Sequence, residues 1–517
     1  MKNSNWKKVS IILLASIWSV EPCAQITPGQ LRQYISDSKY SIGIKQFYNQ
    51  LNYQPAWIRT DGNANSHILL EALKHSAGLG LREKDYEIND IEAFCNGTVS
   101  IQNLNDSLEA ELRITNAAIH FYNDIAYGNI KPALGYNGLN YEPNCRDIPV
   151  LLAEHILKGQ LPILPKHLAP SLAEIPAIEN KIRWFQRIMA DTNFMEVTLI
   201  SGKVSGTNKP LITKLYQFGV LDSQNKDYPD STLKQRVREV QQQFNLVADG
   251  LIRGTIMQEL NIPVAVRLQQ LNLSVNYYRW LYCLTSNQSV IVVNIPSASL
   301  KVYRGAEIIL EMRMIVGKRS TPTPTLLSRV DEVILYPYWH VPYSIATREL
   351  LPAIKRNPGF VDAGNYQVLN REGKIIEPYA VDWHAYSTKY FPFILRQSTG
   401  CDNALGLLKL NFYSPFGVYL HDTPSKNLFM LKRRYFSHGC MRMEKPMELG
   451  HLVLQNNQIA IDTLEQKGCL RNQSPILVPA DEHMPVIVWY NPVAIDSTGR
   501  VMFCEDIYRK FGWTRRK

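Results

Sequence analysis

The sequence has eight cysteines in 517 residues but no pair of them separated by two residues. A zinc ribbon or a thioredoxin-like redox site is therefore not expected, because both use closely spaced cysteine pairs. No apolar run is long enough to cross a bilayer, and we find no internal repeat, low-complexity segment or nucleic-acid-binding motif. These absences exclude repeat architectures and the commonest metal, redox and nucleic-acid classes.

The composition is that of a globular protein, with 45% apolar and 20% charged residues, and the length predicts three or four structural units. The formal net charge is +10. This excess favours anionic partners, but the basic residues are scattered, so we expect a solvated basic surface and not a nucleic-acid site. A cell-wall polymer or an anionic membrane surface fits better.

Residues 1–24 resemble a secretory signal peptide, with three lysines followed by the uncharged stretch from Val9 to Val20. The alternative is an ordinary buried helix. Cleavage near Ala24 would remove Cys23 and leave seven cysteines, an odd number, so at least one thiol stays unpaired. Lipidation of Cys23 is a minor alternative, because the residues before it are not the small ones expected in a lipoprotein signal. If the signal is not cleaved, it would hold the protein close to the membrane.

The rest of the chain changes from helical to strand-like patterns. Residues 25–205 read as helices, including one capped by Ser66, and we interpret them as a scaffold domain. Residues 206–272 predict two short helices around the Asp249-Gly250 turn, for which a plain helical hairpin is the simplest interpretation. After about Asn287, alternating branched apolar residues predict strands, and we assign a β-rich domain to 273–465. C-terminal strands in 466–517 are expected to pack on the scaffold or on the β-rich domain.

The segment "SHGC" at residues 437–440 carries the candidate nucleophile, Cys440. A cysteine attacks as its thiolate and needs a base close by. Gly439 lets the backbone turn sharply and lets a substrate carbonyl approach the main-chain N–H groups near Cys440, where an oxyanion would form. His421 and His438 are both candidate bases, and the residues alone do not choose between them.

His421 follows the strand-like run "FGVYL" and is therefore expected at a strand end. Because Asp422 would point away from it, we expect a backbone carbonyl to orient the imidazole. Simpler interpretations are a buried inert cysteine and a core histidine. A metal site from His421, His438 and Cys440 is a further alternative that the ligand spacing does not support.

His421 followed sixteen residues later by "SHGCMR" resembles the signature of the L,D-transpeptidase catalytic domain of the YkuD type. The segments "YPYWHVP", "QSTGCDNALGLLKLNF", "YLHDTP", "YQPAWI" and "DSTGRVMFCEDIY" look like the large Gram-negative subgroup. The stretch "VREVQQQFNLVADGLIRGTIMQELN" is similar to a small helical peptidoglycan-binding module. The resemblance implies a multidomain α+β protein with a helical scaffold, this module, and a β-rich catalytic domain carrying an inserted flap at about 343–395.

The resemblance also implies the chemistry. Cys440 would attack the carbonyl of the third residue of a tetrapeptide stem and expel the terminal D-alanine, and a second stem would then give a 3→3 cross-link. His421 would be the base and the Asp422 carbonyl its orienter. Among the other residues carried over, Ser437 belongs to the motif, Gly439 lies at the oxyanion site with His438 supporting it, and Arg442, Tyr419 and Trp339 hold substrate.

The resemblance implies no metal and no cofactor, a periplasmic location, and stem peptides and glycan strands as partners. One departure is Cys401, which stands where the family often has proline. We interpret it as a spare buried thiol near the cleft, with a redox partner for Cys440 as the alternative. The alternatives to cross-linking are an L,D-carboxypeptidase, a transpeptidase that attaches a protein to the wall, and a wall-binding protein with an inert cysteine.

Overall fold

The computed structural model describes residues 26–37, 41–59, 63–98, 101–455, 459–471 and 473–512. The predicted signal, residues 1–24, lies outside the described residues. Within the described ranges, every helix is too short or too polar to span a bilayer.

Helices dominate the first half of the chain and recur around the strands of the second half. In chain order they are α1 Pro28–Asp37, α2 Ile42–Gln50, α3 Ala64–Lys74, α4 Ile88–Cys95, α5 Leu104–Tyr127, α6 Ile148–Leu157, α7 Leu164–Leu168, α8 Glu174–Ala190, α9 Lys209–Gln217, α10 Asp230–Gln243, α11 Thr255–Leu260, α12 Val264–Asn287, α13 Tyr343–Ile345, α14 Leu351–Arg356, α15 Phe360–Ala363, α16 Pro446–Val453 and α17 Ile459–Lys467.

The chain divides into two compact units, the first of which comprises the described residues of Met1–Lys74, Glu83–Tyr122 and Arg146–His167. A buried carboxylate organises its core. Glu111 accepts hydrogen bonds from the backbone N–H groups of Ala56, Trp57 and Ile58, at 2.5, 3.1 and 2.8 Å, and one from the Tyr48 hydroxyl at 2.9 Å. The "YQPAWI" segment can therefore be irregular within a helical unit, because the side chain of Glu111 satisfies its buried N–H groups.

The expectation that Ser66 caps a helix is wrong. Helix α3 begins two residues earlier, at Ala64, and the Ser66 hydroxyl donates to the Trp57 carbonyl at 2.9 Å. Serine in a helix can satisfy its hydroxyl on a neighbouring segment, and here that contact is buried.

The second unit comprises His75–Arg82, Asn123–Cys145 and Leu168–Lys517. Its central helix, α12, is buried on most of its surface and packs against α8. Two buried arginines on α12 are satisfied by acids: Arg267 donates to Glu259 at 2.6 Å and Arg279 to Glu179 at 2.9 Å. Such pairs make burial of the charges tolerable.

Strands form most of the remainder of the second unit. They are β1 Tyr136–Asn137, β2 Ser289–Asn294, β3 Ser299–Arg304, β4 Glu307–Gly317, β5 Leu326–Leu335, β6 Trp339–His340, β7 Tyr366–Leu369, β8 Ile375–Ile376, β9 Ile394–Gln397, β10 Leu408–Phe412, β11 Leu420–His421, β12 Tyr435–Ser437, β13 Met441–Met443, β14 Ile476–Pro479, β15 Pro485–Trp489, β16 Val493–Ile495 and β17 Val501–Phe503.

The main sheet closes on itself, since its strand order runs β5-β10-β11-β13-β4-β3-β2-β15 and β15 pairs again with β5. Strand β2 has four consecutive apolar residues, Val290 to Val293, because both of its faces are buried. Ile291 and Val293 face the core enclosed by the sheet, while Val290 and Val292 face the helical layer. A strand buried on both faces loses the usual alternation with polar residues.

Two smaller sheets complete the second unit. Strands β6, β9, β7 and β8 form a sheet over residues 339–397, with a core of its own that includes Ile345, Trp383 and Leu395. Strands β16 and β17 form a hairpin whose Phe503 stacks on Phe185 of α8. The C-terminal strands are thus built into the second unit, with β14 and β15 in the main sheet. The predicted α+β class, with a helical N-terminal part and a β-rich domain after it, is confirmed.

Candidate active site

Three neighbouring strands of the main sheet position the candidate side chains. Lys409 on β10 pairs with His421 on β11, and His421 pairs with Arg442 on β13. The residues that precede His421 and Arg442 on their strands, Leu420 and Met441, are fully buried in the core. Because side chains alternate along a strand and paired residues share a face, Lys409, His421 and Arg442 project together from the face opposite the core.

His421 is a buried imidazole with a fixed orientation. Its Nδ1 lies 2.5 Å from the carbonyl oxygen of Asp422, so Nδ1 carries the proton and Nε2 is left as the basic nitrogen. Burial, reinforced by the positive charge of Arg442, lowers the pKa of His421 from 6.5 to about 3, although the bond to Asp422 opposes the shift. The imidazole is therefore neutral at physiological pH and able to accept a proton.

The carboxylate of Asp422 has a different role from its carbonyl. It accepts hydrogen bonds from the Leu407 N–H at 2.9 Å and from Lys426 at 2.5 Å. A Cβ on Gly406 would lie 2.2 Å from this carboxylate, so the loop before β10 requires glycine there. These contacts hold the backbone that presents the carbonyl to His421.

Cys440 is a free, half-buried thiol directly before β13. Burial raises the pKa of the Cys440 thiol above its ordinary value, despite the opposing effects of hydrogen bonds from Tyr419 and of the positive charges of Lys409 and Arg442. The thiol is therefore protonated at rest, and its attack on a carbonyl requires a base to take the proton.

The turn before Cys440 is fixed by Ser437. The Ser437 hydroxyl donates to the Cys440 carbonyl at 2.5 Å and accepts from the Gly439 N–H at 3.2 Å. Gly439 has φ +116°, a conformation that residues with a side chain rarely adopt. The Gly439 N–H is engaged by Ser437, whereas the Cys440 N–H donates to no acceptor within the described ranges.

His438 contacts two charged side chains, those of Glu349 and Lys318. Its Nε2 lies 2.7 Å from Glu349 and 3.3 Å from Lys318, and its side chain is one-third exposed. Glu349 belongs to the segment expected to form the flap. The structure thus brings Ser437, Gly439 and Cys440 into one turn and directs His438 away towards Glu349.

The predicted substrate-holding residues surround the thiol. The Tyr419 ring lies 5.7 Å from that of His421, and burial, together with Cys440, raises the pKa of the Tyr419 hydroxyl. Arg442 is half-buried, and its Nε has no hydrogen-bond partner in the described part of the chain.

Sequence reasoning missed Lys409, whose Nζ lies 4.1 Å from the centre of the Tyr419 ring. Burial lowers the pKa of Lys409. The available signal was a single lysine inside the apolar strand "LLKLNF", where its neighbours on the strand face the core. The site face therefore carries two cations, Lys409 and Arg442.

The interpretation of Cys401 as a spare buried thiol is wrong, because Cys401 is exposed and forms a disulfide with Cys469. A second disulfide joins Cys145 to Cys283. The free cysteines in the described ranges are Cys95, Cys440 and Cys504. The sequence could not reveal these pairings, since each joins segments far apart in the chain.

Comparison with known families matches two parts of the chain. The family model of the L,D-transpeptidase catalytic domain (YkuD) matches residues 288–461, and that of the Scaffold domain matches residues 43–175. A predicted L,D-transpeptidase of Haemophilus influenzae is 35% identical over 218 residues, which are 42% of this chain and 44% of that protein. The chain therefore spans less than half the length of this curated relative.

Solved structures give weak likenesses. An L,D-transpeptidase from Stackebrandtia nassauensis is 12% identical, with 58% of this chain and 98% of that one covered and a TM-score of 0.22. One from Mycobacterium smegmatis is 15% identical, with 39% and 58% covered and a TM-score of 0.18. Likenesses of this size add nothing to the assignment.

Proposed function

Residues 288–461 are an L,D-transpeptidase catalytic domain of the YkuD family, and on that premise we propose that the protein is a peptidoglycan L,D-transpeptidase that forms 3→3 cross-links through a cysteine acyl-enzyme. The observation that carries the proposal is the free thiol of Cys440 beside a strand that presents a neutral imidazole, His421. A neutral thiol and a neutral, oriented imidazole are the starting state that general-base activation requires.

The reaction follows from this starting state. As the sulfur of Cys440 bonds to the carbonyl carbon of the third stem residue, His421 Nε2 takes the thiol proton. The carbonyl oxygen becomes an oxyanion that the Cys440 N–H stabilises. When the intermediate collapses, the peptide bond to D-alanine breaks, the leaving amine receives the proton from His421, and a thioester remains on Cys440.

The second half restores the enzyme. The side-chain amine of a diamino acid in another stem attacks the thioester, and His421 accepts its proton. The sulfur leaves and is reprotonated, while the new amide bond constitutes the 3→3 cross-link. No cofactor takes part in either half of this reaction.

Two cations on the site face suit an anionic substrate. Stem peptides carry carboxylates, and Arg442 offers a buried, unpartnered Nε while Lys409 lies beside the Tyr419 ring. Guanidinium and ammonium groups in partly dehydrated surroundings bind carboxylates strongly. We assign Arg442 and Lys409 to substrate carboxylates, and Tyr419 and Trp339 to the walls of the donor site.

The helical segment 206–272 is proposed to bind the wall polymer. Gln241 holds its Asp249-Gly250 turn, donating to the Asp249 carboxylate at 2.7 Å and accepting from the Gly250 N–H at 2.8 Å. A cleft of about 920 Å³ lies between α11 and the strand that leads to Ser437, and its lining includes Glu259, Arg433 and Phe436. A glycan strand bound in this cleft would contact Phe436, which directly precedes the turn of Ser437 to Cys440.

The location and the competing activities follow the same premise. The family acts on the cell wall, so we propose export by the signal at residues 1–24 to the periplasm. A carboxypeptidase, with water as acceptor, or a transpeptidase that attaches a protein would use the same cysteine. A purely wall-binding protein would not need the thiol at all.

The test is incubation of the mature protein with a disaccharide-tetrapeptide, with products read by mass. A dimer that lacks one D-alanine is expected from the wild type and from Cys95→Ala, a control at another free, half-buried cysteine. Cys440→Ala should give none. A tripeptide as the single product would identify a carboxypeptidase, and equal products from Cys440→Ala would refute the cysteine mechanism.

A further inference from the structure

The carbonyl oxygen of Gly439 accepts a hydrogen bond from the hydroxyl of Thr323 at 2.8 Å. Both residues are buried. This carbonyl belongs to the same peptide unit as the Cys440 N–H, and a trans peptide unit is planar, with the two groups pointing in opposite directions. The bond from Thr323 therefore determines the direction in which the Cys440 N–H points.

The hydroxyl proton of Thr323 has one hydrogen-bond acceptor, the Gly439 carbonyl. The Thr323 oxygen accepts the Gly317 N–H at 2.9 Å, so its single proton is directed to the Gly439 carbonyl. Gly317 is the last residue of β4, and a Cβ there would lie 2.3 Å from the Thr321 carbonyl. The loop from Gly317 to Thr323 is thus tightly wound around these contacts.

Tyr508, from the C-terminal segment, closes the network. Its hydroxyl donates to the Gly317 carbonyl at 2.6 Å and accepts the Thr323 N–H at 3.1 Å. The Tyr508 N–H in turn donates to the Tyr490 hydroxyl at 2.9 Å. Thr323 is therefore held through its main chain by Tyr508 and acts through its side chain on Gly439.

We propose that Thr323 is a positioning residue for acyl transfer, whose hydroxyl aims the Cys440 N–H at the oxyanion that forms on the substrate carbonyl. Tyr508 is the residue that keeps Thr323 in this position. The inference rests on the proposed function, since it concerns the acylation step of that reaction. The Thr323 hydroxyl has its hydrogen bonds to Gly317 and Gly439, so we expect its effect to be confined to the donor that stabilises charge.

The proposal predicts that loss of the Thr323 hydroxyl slows one reaction of the Cys440 sulfur, acylation, and leaves the rate of another, alkylation, nearly unchanged. Acylation by a stem peptide develops an oxyanion, whereas alkylation by iodoacetamide displaces iodide and develops none. Loss of an oxyanion donor lowers acylation by about 10²–10³-fold in well-studied cases, and a misdirected donor should cost about 10- to 100-fold. Alkylation should stay within about twofold, because the thiol and His421 are unchanged.

The experiment uses Thr323→Val, which keeps the shape and removes the hydroxyl, and Thr323→Ser, which restores it. Single-turnover acylation by a tetrapeptide donor is followed by the mass of the protein. Alkylation of Cys440 in the folded protein is followed by the mass of the digested peptide that contains this cysteine. We expect Thr323→Val to lose acylation alone and Thr323→Ser to recover it to within about threefold. The matched control is Thr321→Val, because Thr321 donates to the Ser437 carbonyl, which keeps its bond from the Lys318 N–H.

A second variant covers the case in which Thr323→Val does not fold. Tyr508→Phe keeps the Thr323 side chain and releases its main chain, and it should show the same split to a smaller degree. Acylation at the wild-type rate in the folded variants, or equal losses in both reactions, would overturn the inference. If the wild type itself forms no acyl-enzyme, the proposed function fails, and that outcome is distinct from either of these.

Discussion

Acylation should retain activity at acidic pH, where an ordinary histidine base would already be protonated. The perturbation is a change of pH from 8 to 4.5 with a fixed donor peptide. Burial beside Arg442 lowers the pKa of His421 to about 3. Protonation of the base should therefore not limit kcat/KM anywhere in this range. Because the pKa of the Cys440 thiol is raised, its thiolate should add to the rate only above pH 9.

The magnitude follows from the fraction of neutral imidazole. At pH 5 a histidine with a pKa of 6.5 is about 3% neutral, whereas one with a pKa of about 3 is ~99% neutral. The two cases differ by about 30-fold in kcat/KM relative to pH 8. The same shift affects stability. Below pH 6.5 the His421 side chain is protonated in the unfolded chain but stays neutral in the native protein. The free energy of unfolding therefore decreases as the pH is lowered, by about 2 kcal/mol at pH 5.

The assay is kcat/KM for acylation from pH 4.5 to 9.5, and it is accompanied by urea unfolding at pH 7 and pH 5 to separate loss of fold from loss of base. His421→Asn serves as the comparison for stability, since it should lose the part of the pH dependence that His421 contributes. An acid limb with a midpoint near 6.5 in folded enzyme would refute the reasoning, because it would show that His421 titrates as an exposed imidazole does.

Three further outcomes are expected. Lys409→Met should raise KM for the donor about tenfold and leave kcat within about threefold, as steady-state kinetics would show, because the ammonium binds a carboxylate and does not react. Glu349→Gln should speed trypsin cleavage within residues 343–395 several-fold, because it removes the charge that His438 contacts at 2.7 Å. Glu111→Leu should destabilise the first unit by about 3 kcal/mol or more in urea unfolding, because three backbone N–H groups lose their acceptor.

Each of these has a matched control. The Lys409→Met effect should shrink for a donor whose terminal carboxylate is amidated, and an undiminished effect would exclude carboxylate binding. Glu377→Gln, an exposed acid in the same 343–395 segment, should not change cleavage. Glu109→Leu, exposed on the same helix as Glu111, should change stability by less than about 0.5 kcal/mol, and a loss equal to that of Glu111→Leu would contradict the role given to the buried carboxylate.

Much of the fold was predictable because it depends on local pattern. Alternating apolar residues after position 287 indicated strands, helical periodicity indicated the N-terminal helices, and both classes are present. The cap at Ser66 was misplaced because a helix start depends on which residue first takes helical angles, and the contact of Ser66 with Trp57 is not visible in a local pattern.

The site was predictable where neighbours in sequence make the contact. Gly439 has the positive φ that the turn requires, and the carbonyl of Asp422 meets the adjacent His421. Thr323 was missed because it lies 116 residues from Gly439 in the chain, and Lys409 was missed because a strand pairing places it beside His421. His438 contacts Glu349 of the inserted segment, a partner 89 residues away that no local pattern could reveal.

The sequence by itself determined the α+β class and the transpeptidase signature, and it indicated a candidate nucleophile with two candidate bases, since these depend on residue order and short-range spacing. Only the tertiary structure decided the register that puts Lys409, His421 and Arg442 on one face, the Cys401–Cys469 disulfide, and the protonation states of Cys440 and His421. The physical reason is that burial and long-range pairing set the local dielectric and the hydrogen-bond partners, and neither is encoded in a short window of residues.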